Sequence, residues 1–189
     1  MRWWAVLGFA LLLLPGCSDS LPEPPTTRAI VARMDTVGSC PGPRPPPAPG
    51  GLPEFAFPCL SGESELTLGT APGGPTVLNL WAPWCGPCRE ELPFFERLHT
   101  EAGDLVSMVG LVEMDTRDSS LAFASDAGLS FPSALDQTGK LLYDQGLNGL
   151  PATFFLRADG SIAHRQIGPI ASYDDLRALV SEHLDVAVP

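Results

Sequence analysis

The order of elements along this chain predicts an α/β fold, with a β-α-β unit, an α/β insertion and a closing β-β-α unit. Three observations predict it. Thr76-Val77-Leu78-Asn79-Leu80-Trp81-Ala82 is a short apolar run rich in β-forming residues, and a helix-forming segment follows Cys85. Residues 105–112 are again strongly apolar, as suits a parallel strand buried on both faces. Residues 153–157 and 161–167 flank Ala158-Asp159-Gly160, a hairpin signal, and an amphipathic helix comes after them.

Taken in order, residues 54–58 and 65–68 read as a short leading hairpin. The run 76–82 is the first core strand. Pro87 suits the first turn of a helix and Arg89-Glu90-Glu91-Leu92 are good formers, so a helix opens at Cys85. It runs to about residue 100, with a kink expected at Pro93. After the strand at 105–112, a helix over 119–127 stands behind Asp118 as its N-cap. An extended segment at 131–135, a turn through Asp136-Gln137-Thr138-Gly139 and a helix over 140–146 complete the insertion. Ser172-Tyr173-Asp174-Asp175 resembles a capping box, and Leu176, Leu179, Val180 and Leu184 share one helical face.

The folded domain is expected over 54–189. Before it, Met1-Arg2 and an apolar stretch from Trp3 to Leu14 form an export signal over 1–16, too short for the about 20 residues of a spanning helix. Leu14-Pro15-Gly16-Cys17 resembles a bacterial lipobox, although Pro15 departs from the small residue usual there. That resemblance implies cleavage before Cys17 and attachment to the membrane through lipid on Cys17. Residues 17–53 are rich in Pro, Ser, Asp and Gly, and Pro41-Gly42-Pro43-Arg44-Pro45-Pro46-Pro47 favours polyproline II, so they read as a semi-rigid tether. The stretch Ile30-Val31-Ala32-Arg33-Met34 is not placed by the pattern.

The chain has 22 Asp and Glu against 11 Lys and Arg, a formal net charge of −11. It lacks the basic footprint that nucleic-acid binding needs.

Trp84-Cys85-Gly86-Pro87-Cys88 carries the most chemistry. Cys85 falls at a helix N-terminus, where unpaired N–H groups and the helix dipole favour thiolate over thiol. Cys88 lies one turn away on the same face, so one sulfur can attack and the other resolve. The same spacing occurs in half a zinc ribbon, but no second CxxC or HxxxH follows, and His99, His164 and His183 are scattered. An inert structural disulfide is the remaining alternative. We expect neither a metal nor a cofactor.

Five cysteines is an odd number for an exported chain. Assigning Cys17 to lipid and Cys85 to Cys88 leaves Cys40 and Cys59, which can pair in an oxidising compartment and staple the N-terminal segment to the domain. Both staying free, or Cys40 bonding another molecule, are the alternatives.

With WAPWCGPC, the following Glu91 and Pro93, and the later Gly149-Leu150-Pro151-Ala152-Thr153-Phe154, the chain resembles the thioredoxin fold, a central mixed sheet flanked by helices. The export signal, N-terminal extension and insertion resemble its membrane-attached TlpA/ResA/CcmG branch, and the resemblance as a whole covers about residues 54–186. The resemblance implies a thiol-disulfide oxidoreductase. Cys85 is then the exposed attacking thiolate and Cys88 the buried resolving thiol. Trp84 forms part of the docking surface, and Pro151 is a cis-proline that presents the Leu150 backbone to substrate. Many thioredoxins carry a buried Asp where this chain has Asn79, which cannot ionise. Glu91, three residues after Cys88, matches an acidic position of the ResA-like branch and takes over proton handling.

Gly86-Pro87 is the dipeptide of reducing thioredoxins. The resemblance therefore implies reduction of disulfides in exported proteins such as apocytochrome c, with electrons from a membrane thiol carrier, by a monomer on the extracytoplasmic side. An oxidase or isomerase making disulfides in exported proteins is the alternative. A thiol peroxidase lacks its Thr and Arg frame, and a copper-binding lipoprotein lacks CxxxC with a placed His.

Overall fold

In the computed structural model, which describes Met1, residues 37–42 and residues 44–189, the expected α/β order is present. A leading hairpin pairs β1 (Ala56–Pro58) with β2 (Glu65–Thr67). Then come β3 (Thr76–Trp81), α1 (Gly86–Ala102), β4 (Ser107–Glu113), α2 (Arg117–Asp126), β5 (Ser133–Asp136), α3 (Lys140–Asp144), β6 (Ala152–Leu156), β7 (Ile162–Ile167) and α4 (Tyr173–Leu184). Strands β3 to β7 form one sheet in the spatial order β5-β4-β3-β6-β7. Strands β3, β4 and β5 run parallel, while β6 and β7 add antiparallel on the other side.

Alternation along the strands divides the core between the two faces. Val77 and Trp81 of β3 join Leu92 and Phe95 of α1 and Leu176 and Val180 of α4 on one face. Leu78 and Leu80 join Phe57, Leu66, Leu141 and Phe154 on the other. Covering both faces makes every residue of β3 buried, which is why its sequence reads as an unbroken apolar run. Apart from Thr76 at its start, Asn79 is the polar exception, and it points to the α1 face.

Local differences have local causes. Thr116, not Asp118, caps α2, accepting the Ser119 N–H on its Oγ1 at 3.3 Å. Asp118 sits in the first turn, where its charge suits the dipole. Helix α1 reaches Ala102 and contains Pro93 on its exposed side. Ser172 does cap α4, accepting from Asp175 N–H at 3.1 Å.

The largest difference is at the N-terminal boundary. Of the expected tether over 17–53, residues 37–42 and 44–53 are part of the packed domain. Gly38 N–H donates to Ser130 O at 2.8 Å, Ala48 N–H to Asp159 O at 2.8 Å, and Ile162 N–H to Gly50 O at 3.1 Å. Val37 and Leu52 are buried. Prolines carry no N–H to satisfy, so a Pro-rich strand can lie along loops with few bonds, and nothing periodic in sequence separates a docked segment from a free one. The signal segment, Cys17 and residues 30–34 lie outside the described residues. Among the described residues, no helix is long and apolar enough to cross a membrane.

Candidate active site

Strand β3 ends at Trp81, and a tight turn closes with Cys85 N–H donating to Ala82 O at 3.1 Å. Cys85 is the N-cap of α1, in extended conformation, and its Sγ accepts the Cys88 N–H at 3.2 Å. Gly86 and Pro87 form the exposed first turn, where the missing N–H of proline costs no helical bond. Cys85 and Cys88 are joined in a disulfide. Cys85 is 5% exposed and Cys88 not at all, so Cys85 is the outer sulfur, although less open than expected. Once the pair is reduced, the helix N-terminus and the Cys88 N–H favour negative charge on Cys85.

Trp84 stands beside the pair, 55% exposed, with its indole N–H donating to Met114 O at 3.3 Å. The Leu150–Pro151 peptide is cis. Because Leu80 pairs with Ala152 in register, that peptide lies at the end of the sheet that carries the Cys85 turn. Pro151 O accepts the Gly168 N–H at 3.0 Å, and Leu150 is half-buried.

One turn beyond Cys88, Glu91 is buried beneath the site, while Glu90 faces solvent. Asn79 Nδ2 donates to Glu91 Oε1 at 2.9 Å and to Thr153 Oγ1 at 3.1 Å. Ile170 N–H donates to Glu91 Oε2 at 2.8 Å. Burial pushes the Glu91 carboxyl up to about 7, against the pull of these two donors. Glu91 is thus a buried acid that changes charge near neutral pH, clamped between α1, β3 and the β7–α4 loop. The spacing of Glu91 from Cys88 is visible in sequence. Its partners Asn79, Thr153 and Ile170 come together only through the fold.

A family model described as Redoxin matches residues 48–179. The chain belongs to the Redoxin family. Among Redoxin-like relatives, it is 36% identical over 120 residues to a thiol:disulfide interchange protein DsbE of Allochromatium vinosum, covering 62% of this chain and 65% of that protein. It is 29% identical over 119 residues to a thiol-disulfide oxidoreductase ResA of Bacillus anthracis, covering 61% and 67%. The matches thus span about two thirds of these relatives' own length. A solved structure of a secreted Mycobacterium tuberculosis disulfide oxidoreductase homologous to E. coli DsbE superposes with TM-score 0.60 at 28% identity, over 68% of this chain and 96% of that one. The thioredoxin-like α/β architecture expected from sequence is borne out by these likenesses and by the mixed five-stranded sheet.

Two further features of this Redoxin chain lie outside the Cys85 turn. Cys40 and Cys59 form a second disulfide, 19 residues apart in sequence, that fastens the N-terminal segment beside β1. Glu113 and Asp136 end the neighbouring strands β4 and β5 in register, both buried. Burial and the Asp136 carboxylate push Glu113 up to about 8. Asp136 instead accepts from Thr138 N–H and Leu141 N–H. Sequence reading passed over this pair because strand register is not written in local pattern. His183 stacks on His164 at 4.0 Å and His99 meets the edge of Phe131, so these histidines are occupied in packing.

Proposed function

We propose that this protein is an extracytoplasmic thiol-disulfide oxidoreductase that reduces disulfides in exported proteins, with apocytochrome c as a substrate. The observation that carries the reading is the Cys85 sulfur set at the N-terminus of α1, accepting the Cys88 N–H, above the buried carboxyl of Glu91. The relatives named above are interchange proteins and oxidoreductases, which supports this chemistry.

In the reduced protein, the Cys85 thiolate attacks one sulfur of a substrate disulfide. The substrate S–S bond breaks, its second sulfur leaves as a thiolate and takes a proton, and Cys85 holds the first in a mixed disulfide. Cys88 then loses its proton and attacks Cys85 Sγ. The second substrate thiolate departs and is protonated, and the Cys85–Cys88 disulfide remains. Two electrons have passed to the substrate. Glu91, half-ionised near neutral pH, is the base that takes the Cys88 proton. A membrane thiol carrier restores the dithiol by the reverse exchange.

Gly86-Pro87 supports the reducing direction by the resemblance noted above. Trp84, Leu150 and the cis-Pro151 form the platform on which the substrate lies. Lipid on Cys17 holds the monomeric protein at the membrane, and Cys40–Cys59 stays oxidised through the cycle. Trapping tests the reading directly. Cys88→Ser is expected to accumulate mixed disulfides with exported proteins through Cys85, and a variant that captures none in oxidised extracts, while binding small thiols normally, contradicts the assignment.

A further inference from the structure

We propose that Trp84, Met114 and Tyr143 form one preorganised recognition strip that selects polypeptide substrates with an aromatic or aliphatic side chain and a basic residue close to the attacked cysteine. This deepens the exchange reading and rests on it.

The strip is ordered although exposed. Trp84 Nε1 donates to Met114 O, and Tyr143 Oη donates to Met114 Sδ at 3.7 Å. Tyr143 is 66% exposed, the most exposed aromatic side chain among the described residues. Met114 holds a left-handed φ of 52°, unusual for a residue with a side chain, and its N–H is fixed to Asp136 O at 2.8 Å. Gly139 makes room for the arrangement. A Cβ there would meet the Tyr143 ring at 3.1 Å and Met114 Sδ at 3.2 Å. Two exposed aromatic rings held on a half-buried methionine suit apolar partner side chains, because little freedom is lost on binding.

Geometry fixes the occupant. A disulfide brings the two Cα atoms to within about 4.4–6.8 Å. A polypeptide in mixed disulfide with Cys85 therefore comes close to the neighbouring Trp84, which is bonded to Met114, so residues on one flank of its cysteine can reach the strip. A small disulfide does not reach that far.

Charge points to a basic flank. Asp115 and Asp144 follow Met114 and Tyr143 in the chain, which carries a net charge of −11. The cations near the strip have partners of their own: Lys140, one turn before Tyr143, holds its Nζ over the Phe55 ring at 3.7 Å. Arg117 donates to Cys59 O and Gly62 O, and Arg89 lies over the Phe123 ring.

The test compares second-order reduction rates of the reduced full-length protein in mild detergent. The oxidants are 5,5′-dithiobis(2-nitrobenzoate), a peptide disulfide with Phe and Lys beside the cysteine, and the same peptide with Ser and Glu. The Phe-Lys peptide is expected to react about tenfold faster than the Ser-Glu peptide, as one good apolar anchor gives. Tyr143→Ser and Met114→Asn, the latter tolerant of left-handed backbone, should each remove most of that preference. Leu105→Ser, exposed at the opposite end of the sheet, should preserve it. An unchanged preference in both strip variants overturns the proposal. So does concentration-dependent self-association of the wild type that Tyr143→Ser abolishes, which would assign the strip to a second copy. Failure of the wild type to reduce any of the three oxidants sinks the exchange reading itself, and the nitrobenzoate rate separates that failure from loss of selectivity.

Discussion

The two disulfides of this chain are chemically the same bond in opposite settings. Cys85–Cys88 closes a single helical turn at the N-terminus of α1, with a backbone N–H on the outer sulfur and an ionisable carboxyl one turn below. Cys40–Cys59 ties a docked N-terminal segment to the end of β1, with both cysteines buried and no helix opening at either. The first is placed where one sulfur can leave as a stabilised thiolate. The second closes a longer loop of chain and so restrains the unfolded state. Local field and access, rather than the bond, separate an exchanging disulfide from a structural one.

The comparison can be broken from either side. Cys85→Ser should bring reduction of insulin disulfides to background while the protein remains folded by circular dichroism. Cys40→Ser should leave exchange near wild type but cost about 3 kcal/mol, the scale for a loop of this length, seen as a fall of about 10 °C in Tm. If Cys40→Ser instead stops exchange, the division of labour is wrong.

Glu91→Gln sharpens the contrast. With its carboxyl titrating at about 7, wild-type exchange should show an inflection there, with the ionised form acting as base above it. The variant should lose the inflection and be slowed about 100-fold on the alkaline side. An identical pH profile would leave Glu91 a structural residue.

Glu113→Gln is the control for exchange, on which it has the smallest expected effect. The folded-state value of about 8 exceeds the ordinary 4.5, so the native protein holds this proton longer than the unfolded chain does. Wild-type stability should therefore fall as pH rises from about 4.5 to 8 through this group, and the variant should be flatter over that window. Denaturant midpoints from pH 5 to 9 read it, and exchange rates should not change.

The parts of the molecule that sequence discloses are those fixed by neighbours in the chain. Strand β3 running into the Cys85 turn, the Ala158-Asp159-Gly160 hairpin and the Ser172 cap are local statements, and each lies within a residue or two of its expected place. The Cys40–Cys59 pairing came from counting. What stayed hidden depends on register and docking. Glu113 meets Asp136 only because β4 and β5 align, Asn79 reaches Thr153 only because β3 pairs with β6, and residues 37–42 and 44–53 lie on the domain through bonds to Ser130, Asp159 and Ile162. The Met114–Tyr143 contact likewise joins the end of β4 to α3, 29 residues apart in sequence.

The most direct measurement equilibrates the full-length protein with defined thiol-disulfide buffers and maps each cysteine pair by mass after quenching. The account predicts that Cys85–Cys88 titrates at about −250 mV or below, as a thioredoxin-like reductant, with Cys40–Cys59 oxidised throughout. A Cys85–Cys88 value of about −120 to −150 mV, or reduction of Cys40–Cys59 first, would contradict it.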